Sequence, residues 1–307
     1  MPSLTPARGA VAALALTALL AAAGCASTPA AETGEPADDA TRSVEHARGT
    51  AEVPEAPQRV VVLEPVQLDT AVALGVTPVG AAVLSDAAGI PAYLGEAAAG
   101  IESVGTVMEP SVEAIAALEP DLIIGTESRH AALFDQLETI APTVYMATQT
   151  DPWQQNVALV AEALGDAEGA DRLLADYEAR CAKIAEQFDT AGSTAQLVRP
   201  RDGILTLYGP DSFAGSALEC AGFTTPERAW EDISLDVSPE NVLDASADLV
   251  LVTTTDVDDP ATLPRVIADN AAAFPELHLV DQSFWITGVG PLGGMTVLDD
   301  LERLLAG

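Results

Sequence analysis

The sequence predicts an α/β protein of two similar lobes, each a mostly parallel sheet flanked by helices, joined by one long helix with a ligand cleft between them. Three observations predict it. First, residues 109–126 and 236–253 repeat each other, 127 positions apart. In each copy a serine (Ser111, Ser238) precedes a short helical stretch with a glutamate in its first turn (Glu113, Glu240). An aspartate (Asp121, Asp248) then leads into an unbroken aliphatic run. Serine is a strong helix N-cap, and Pro239 stands where a missing N–H costs nothing. The aliphatic runs, which do not alternate with polar residues, read as strands buried on both faces. Second, residues 168–188 carry Leu173, Leu174, Tyr177, Cys181 and Ile184 on one helical face. About 20 helical residues reach ~30 Å, enough to cross from one lobe to the other. Third, strand and helix patterns alternate from Arg59 to the end, and such a two-lobed arrangement has a cleft, where ligands bind.

Taken in order, residues 60–64 read as a buried strand, followed by a helix through Leu68 and Val72 that stops at Gly75. A second strand covers 76–83, residues 85–105 are loop-rich, and a short strand lies near Ser103 and Val104. The first repeat supplies a helix and strand 122–125; a helix through Leu133, Phe134, Leu137 and Ile140 then leads to strand 143–146. Residues 153–164 form an amphipathic helix that breaks at Gly165, ahead of the long helix. The second lobe opens with strands at 195–200 and 204–208 and a helix over 212–221. After the second repeat come a helix near 261–270, strand 277–280 and a final helix, 292–305. The predicted domains are an N-terminal lobe (58–152), a helical linker (153–189) and a C-terminal lobe (190–307).

The N-terminus reads differently. Arg8 gives residues 1–24 a positive start, and 11–23 are apolar except for Thr17. That run falls short of the ~20 residues needed to span a bilayer, and it has the layout of an export signal. Residues 20–25 resemble a bacterial lipobox, in which Cys25 is lipidated and becomes the mature N-terminus. Ala22 stands where that motif usually has leucine, and a plain secretory signal cut nearby is the alternative. Residues 25–57 are rich in Ala, Pro, Glu and Thr and read as a disordered tether.

Thirteen basic residues against 47 acidic ones, a net charge of −34, exclude nucleic acid as a partner. Cys181 and Cys220 lie in an oxidising compartment if the chain is exported; both a disulfide and two separate buried thiols remain open. Ser212 does not sit in a Gly-x-Ser-x-Gly elbow, and no phosphate loop or dinucleotide fingerprint is present, so no enzyme activity is expected. The three histidines, at 46, 130 and 278, argue against a direct metal site.

Several strings together carry a family resemblance. They are residues 59–64 and 73–76, 104–115, 120–125, the pair Arg129-His130, residues 135–137 and 140–143, Leu207-Tyr-Gly-Pro-Asp-Ser-Phe-Ala-Gly-Ser216, and 298–301. In this order they resemble the class III periplasmic-type binding proteins of the ferric-siderophore and cobalamin group over residues 57 to 305. The Arg129-His130 pair and the Tyr208–Phe213 string are most similar to binders of ferric hydroxamate or citrate–hydroxamate siderophores. Val107 departs from the arginine that such relatives often carry there. The resemblance implies a monomeric lipoprotein, anchored on the extracytoplasmic face of the cell membrane, that hands a ferric siderophore to an ABC permease dimer and its ATPase. It needs no cofactor, since iron(III) arrives with the ligand. Cobalamin or haem is the alternative ligand, and an exported enzyme or adhesion module on the same scaffold is the competing class.

An anionic ferric complex calls for guanidinium donors and aromatic surface. Arg129 lies just beyond strand 122–125, at the carboxyl end where α/β sheets present ligands; the plainer reading is a surface ion pair. Arg199, Tyr208 and Trp285 complete the candidate ligand set, each with a core or structural role as the alternative. Glu113 and Glu240 are stabilised by the helix dipole in any case. The resemblance adds that they pair with permease arginines, one per lobe.

Overall fold

The aliphatic runs become the middle strands of two five-stranded sheets. The structure, a computed structural model, describes residues 40–307 apart from Asp151 and Glu231. The signal, Cys25 and the tether up to residue 39 lie outside the described residues. The N-terminal lobe contains strands β3 (Val60–Val62), β4 (Gly80–Val83), β5 (Glu102–Thr106), β6 (Leu122–Thr126) and β7 (Thr143–Met146). They form an all-parallel sheet of order β5-β4-β3-β6-β7. Helices α1 (Pro65–Ala73), α2 (Val112–Ala117), α3 (Glu127–His130) and α4 (Phe134–Glu138) connect the strands. Helices α5 (Trp153–Leu164) and α6 (Ala167–Phe188) lead to the second lobe, where β8 (Ala195–Arg201), β9 (Ile204–Tyr208), β10 (Ser234–Val237), β11 (Leu249–Thr254) and β12 (Glu276–Asp281) are ordered β10-β9-β8-β11-β12. Its helices are α7 (Phe213–Cys220), α8 (Arg265–Ala268), α9 (Gln282–Trp285) and α10 (Pro291–Ala306).

The repeat seen in the sequence is a repeat of topology. In both lobes it runs from an edge strand (β5, β10) through a helical turn to the strand beside the centre (β6, β11). Its aspartate does the same work twice. Asp121 accepts from the backbone N–H groups of Gln58 and Arg59, 2.7 and 2.9 Å, at the entrance to β3. Asp248 accepts from the backbone N–H and hydroxyl of Thr194, both 2.8 Å, at the entrance to β8. Each carboxylate thus satisfies donors that the sheet leaves unpaired at its start.

The copies also diverge. Ser111 caps α2 by accepting from the Ala114 N–H at 3.2 Å. Ser238, expected to do the same, makes no cap hydrogen bond; residues Pro239–Ala245 form a 3₁₀ turn that leaves helical geometry at Asn241. The second sheet is mixed, because β9 runs antiparallel to both β8 and β10. Strand β10 is absent from the sequence expectation, since an edge strand that is mostly part-exposed shows no long apolar run. The helix expected near 261–270 is only α8, four residues flanked by 3₁₀ turns, because Pro260 and Pro264 interrupt it.

The tether expectation ends too late. Residues 41–54 form a hairpin of β1 (Thr41–His46) and β2 (Gly49–Pro54). It buries only Val44 and Val53, at ~1.5–3 kcal/mol each. Arg42 makes up the difference: its guanidinium donates to the carbonyls of Pro54, Glu55, Glu162 and Ala163 at 2.5–3.0 Å. The last two lie in the final turn of α5, so one cation sits against carbonyls at the negative end of a helix.

Alternate residues of the strands face two cores. Val61, Leu63 and Ile123 pack on the outer side of the first sheet, and Val198, Val250 and Val252 on that of the second. Val60, Val62, Ile124, Leu197 and Leu251 face a single core that continues through α5, α6 and α10 into both lobes. The long connecting helix α6 is as expected; the part played by α10 is new. Asp69 of α1, wholly buried, accepts from the N–H groups of Leu292 and Gly293 at 2.8 Å and from the Tyr93 hydroxyl at 2.9 Å. The carboxyl of the first lobe therefore caps the last helix of the chain. Burial pushes it up to about 7, with the backbone donors and Tyr93 pulling the other way. Gly290, at φ 140°, is required here, because a Cβ would collide with the Asp69 carboxylate.

Cys181 of α6 and Cys220 of α7 form a disulfide with Cα atoms 5.3 Å apart, resolving the alternatives left by the sequence. It closes a loop across 39 positions, and loop-closure entropy gives such a bridge roughly 2–4 kcal/mol. The Cys181→Ser/Cys220→Ser variant should therefore melt several degrees lower by scanning calorimetry while its cleft still binds ligand. An unchanged melting temperature would mean that the bridge contributes nothing.

Candidate functional site

The carboxyl ends of the central strands of both sheets open onto one cavity of about 240 Å³ between the lobes. From the first lobe come Glu64 and Pro65 at the β3–α1 junction, Leu84 after β4 and Arg129 on α3. The second contributes Arg199 of β8, Tyr208 at the end of β9, Phe213 at the start of α7, and Trp285, Ile286, Thr287 and Val289. Two flanking cavities, about 440 and 370 Å³, share walls with it. Trp230 lines the first of these and Ile90 the second.

Three of the four expected ligand residues bring polar or part-buried groups into this cavity. Arg129 Nη1 lies 3.2 Å from Glu64 Oε2, with the arginine side chain 27% exposed and the glutamate 2%. Arg199 Nη1 is 3.5 Å from the Tyr208 hydroxyl and has no carboxylate at ion-pair distance among the described residues. Trp285 also borders the cavity, but it is completely buried and its Nε1 donates to Asp300 at 2.8 Å. Its ring is thus wall material, held by its own hydrogen bond. Beside Tyr208, the part-buried aromatic surface comes from Phe213 and Trp230, which were not among the expected ligand residues. Beneath them, Trp153 meets Tyr177 and Phe213 edge-on at 5.1 and 5.7 Å, so that α5, α6 and α7 converge under the cleft.

Glu64 is the other residue that sequence reasoning missed. It stands at the N-cap position of α1 yet makes no capping hydrogen bond. Its carboxyl points instead to Arg129, and its Oε1 has no hydrogen-bond partner. Burial pushes this carboxyl up to about 7 against the pull of Arg129 and of the Thr126 hydroxyl. The signal available was positional: a carboxylate at the carboxyl end of a buried strand, followed by Pro65.

His130 has a structural task. Its Nδ1 accepts from the Thr126 N–H at 3.1 Å, which leaves Nε2 to donate to the Val107 carbonyl at 2.9 Å. Burial lowers its pKa, so the ring is neutral. Among the described residues no group of three or more His, Cys, Asp and Glu side chains is placed to hold a metal ion.

Glu113 and Glu240 lie away from these cavities, exposed on the turns that follow β5 and β10. Each has an exposed apolar neighbour in the chain, Met108 at 72% and Leu243 at 55%.

Comparison with known proteins agrees with this architecture. The family described as "Periplasmic binding protein" matches residues 60–273. The chain is 33% identical to the Bacillus subtilis "Probable siderophore-binding lipoprotein YfiY" over 316 residues, 94% of each chain. It is 30% identical to the achromobactin-binding periplasmic protein of Dickeya dadantii, over 81% of this chain and 86% of that one. The crystal structure of Staphylococcus aureus SirA complexed with staphyloferrin B is similar at a TM-score of 0.75 and 27% identity, covering 87% of this chain and 99% of that one.

Proposed function

The chain belongs to the periplasmic binding protein family, and from that premise we propose that it is the substrate-binding lipoprotein of an ABC importer, which captures a ferric siderophore and delivers it to the permease. Its family and relatives are binding proteins. The observation that carries the ligand class is the placing of Arg129 and Arg199, one from each lobe, in one cavity of a chain with net charge −34. Two guanidiniums facing a shared space suit a ligand whose outer surface is anionic oxygen, and iron(III) wrapped in siderophore oxygens has that surface. Tyr208 extends the polar wall, and Phe213 and Trp230 give the organic backbone an apolar bed. No resident cofactor is needed, because the iron is cargo.

The remaining assignments follow from the same role. Glu113 and Glu240 dock one lobe each onto the two permease subunits, and lipidation at Cys25 holds the protein, as a monomer, at the extracytoplasmic face of the membrane.

Intrinsic fluorescence is well placed to test the ligand, because Trp153, Trp230 and Trp285 all border the cavities. Titration with ferric staphyloferrin B, ferric citrate, a ferric hydroxamate, cobalamin and haem should give saturable quenching with at least one ferric siderophore. A response to cobalamin or haem alone would replace this reading.

A further inference from the structure

We propose that Glu64 is the positioning residue for Arg129, and that it takes up a proton when an anionic ferric siderophore settles against that guanidinium. The inference rests on the ligand class proposed above. Its geometric basis is a carboxyl sealed into the wall of an anion-binding cavity. One oxygen lies 3.2 Å from Arg129 Nη1, and the other has no hydrogen-bond partner. An ionised Glu64 cancels much of the charge that Arg129 would offer a ligand. A neutral Glu64 still accepts the guanidinium N–H through Oε2 and holds the arginine in place, but leaves its full charge free. The carboxyl therefore orients the arginine in either state and sets its strength by its protonation.

The surroundings determine which state wins. From α3 the carboxyl meets Arg129 and, behind it, the neutral His130; from β6 it meets Thr126. Across the cavity stand Arg199, Tyr208 and Asp211. Among the described residues Arg129 is the one cation that pulls on the Glu64 carboxyl, and burial outweighs it. With its pKa lifted to about 7 the free protein holds Glu64 in both states near neutrality. A bound anion draws on Arg129 and adds negative charge nearby, so it raises the proton affinity of Glu64 further. The complex then binds more protons than the free protein, and affinity falls as pH rises above about 7. For one proton, the loss between about pH 6.5 and about pH 8.5 is roughly five- to twenty-fold, depending on how far binding lifts the group.

Calorimetry with ferric staphyloferrin B as probe, repeated at about pH 7.5 in buffers of different ionisation heat, reads this uptake directly. Wild-type protein should take up between about half and about three-quarters of a proton per ligand bound, since the free carboxyl already holds about a quarter of a proton at that pH. Glu64→Gln is neutral, nearly isosteric and still able to accept from Arg129. It should show no uptake, should match the low-pH affinity of the wild type and should lose the additional pH dependence. Binding by wild type without proton uptake would overturn this inference alone, and that result does not depend on whether the variant folds. An E64Q protein that keeps the wild-type pH profile, or that binds more weakly at every pH, would overturn it too. A complete lack of binding to any ferric siderophore at any pH would overturn both the ligand class and the inference.

Discussion

Replacing Arg129 and Arg199 together with alanine should raise the dissociation constant for the ferric siderophore by between about a hundredfold and ten-thousandfold. A hydrogen bond to a charged group is worth ~1.5–3 kcal/mol, and the two arginines come from different lobes, so their losses should nearly add. Fluorescence titration measures the change. Stability should respond much less. Among the described residues Arg199 has no carboxylate partner to strand. Loss of Arg129 leaves Glu64 buried, but a carboxyl already raised to about 7 answers by taking a proton instead of remaining as an unpaired charge. The melting temperature of the ligand-free double variant should therefore stay near that of the wild type. A large fall in melting temperature with affinity intact would make both arginines structural. Arg199→Lys should recover only part of the affinity, since an ammonium lacks the planar fork.

The second large effect is expected in transport rather than in binding. Glu113→Gln/Glu240→Gln should bind the siderophore within about a factor of two of wild type, yet leave the ATPase of the reconstituted importer near its basal rate. The competing account is the helix dipole, worth ~0.3–1 kcal/mol at an exposed first turn. That account is weaker at Glu240, whose segment is a kinked 3₁₀ turn without a serine cap. Neither carboxylate lines the cleft cavities, so normal ligand binding is part of the expectation. Full stimulation of the ATPase by the double variant would leave the dipole as the only role for these two residues.

What could be read in the sequence divides along a physical line. Strands such as β6 and β11 are legible because burial on both faces demands an unbroken aliphatic run, and α5 and α6 because each spaces its apolar residues at helical period. The β1–β2 hairpin was not legible. It is held by a guanidinium reaching carbonyls over a hundred positions away, and no local pattern encodes such a contact. Strand β10 was hidden for a related reason: an edge strand needs hydrogen-bond partners more than apolar side chains. In the cleft, Arg129, Arg199 and Tyr208 stood out by residue type and by following strands. Glu64 did not, because its interest lies in being buried, and one acid among 47 gives no sign of that in sequence. Trp285 shows the converse: residue type suggested an open aromatic face, and the structure encloses the ring.

The core shared by the two sheets bears on how the molecule comes apart. Val62 and Ile124 from one lobe, Leu197 and Leu251 from the other, and Val297, Leu298 and Leu301 of α10 belong to one continuous apolar cluster. Asp69 ties the start of that last helix to the first lobe. Neither lobe can lose its inner packing without exposing the other's, so the described chain should unfold in one cooperative transition. Ligand held in the cleft then protects residues far from it, for the binding free energy adds to the stability of the whole unit: about 2.7 kcal/mol when free ligand stands at a hundred times its dissociation constant. A loaded receptor would resist heat and proteases as a single body, from the hairpin at residue 41 to the last turn of α10.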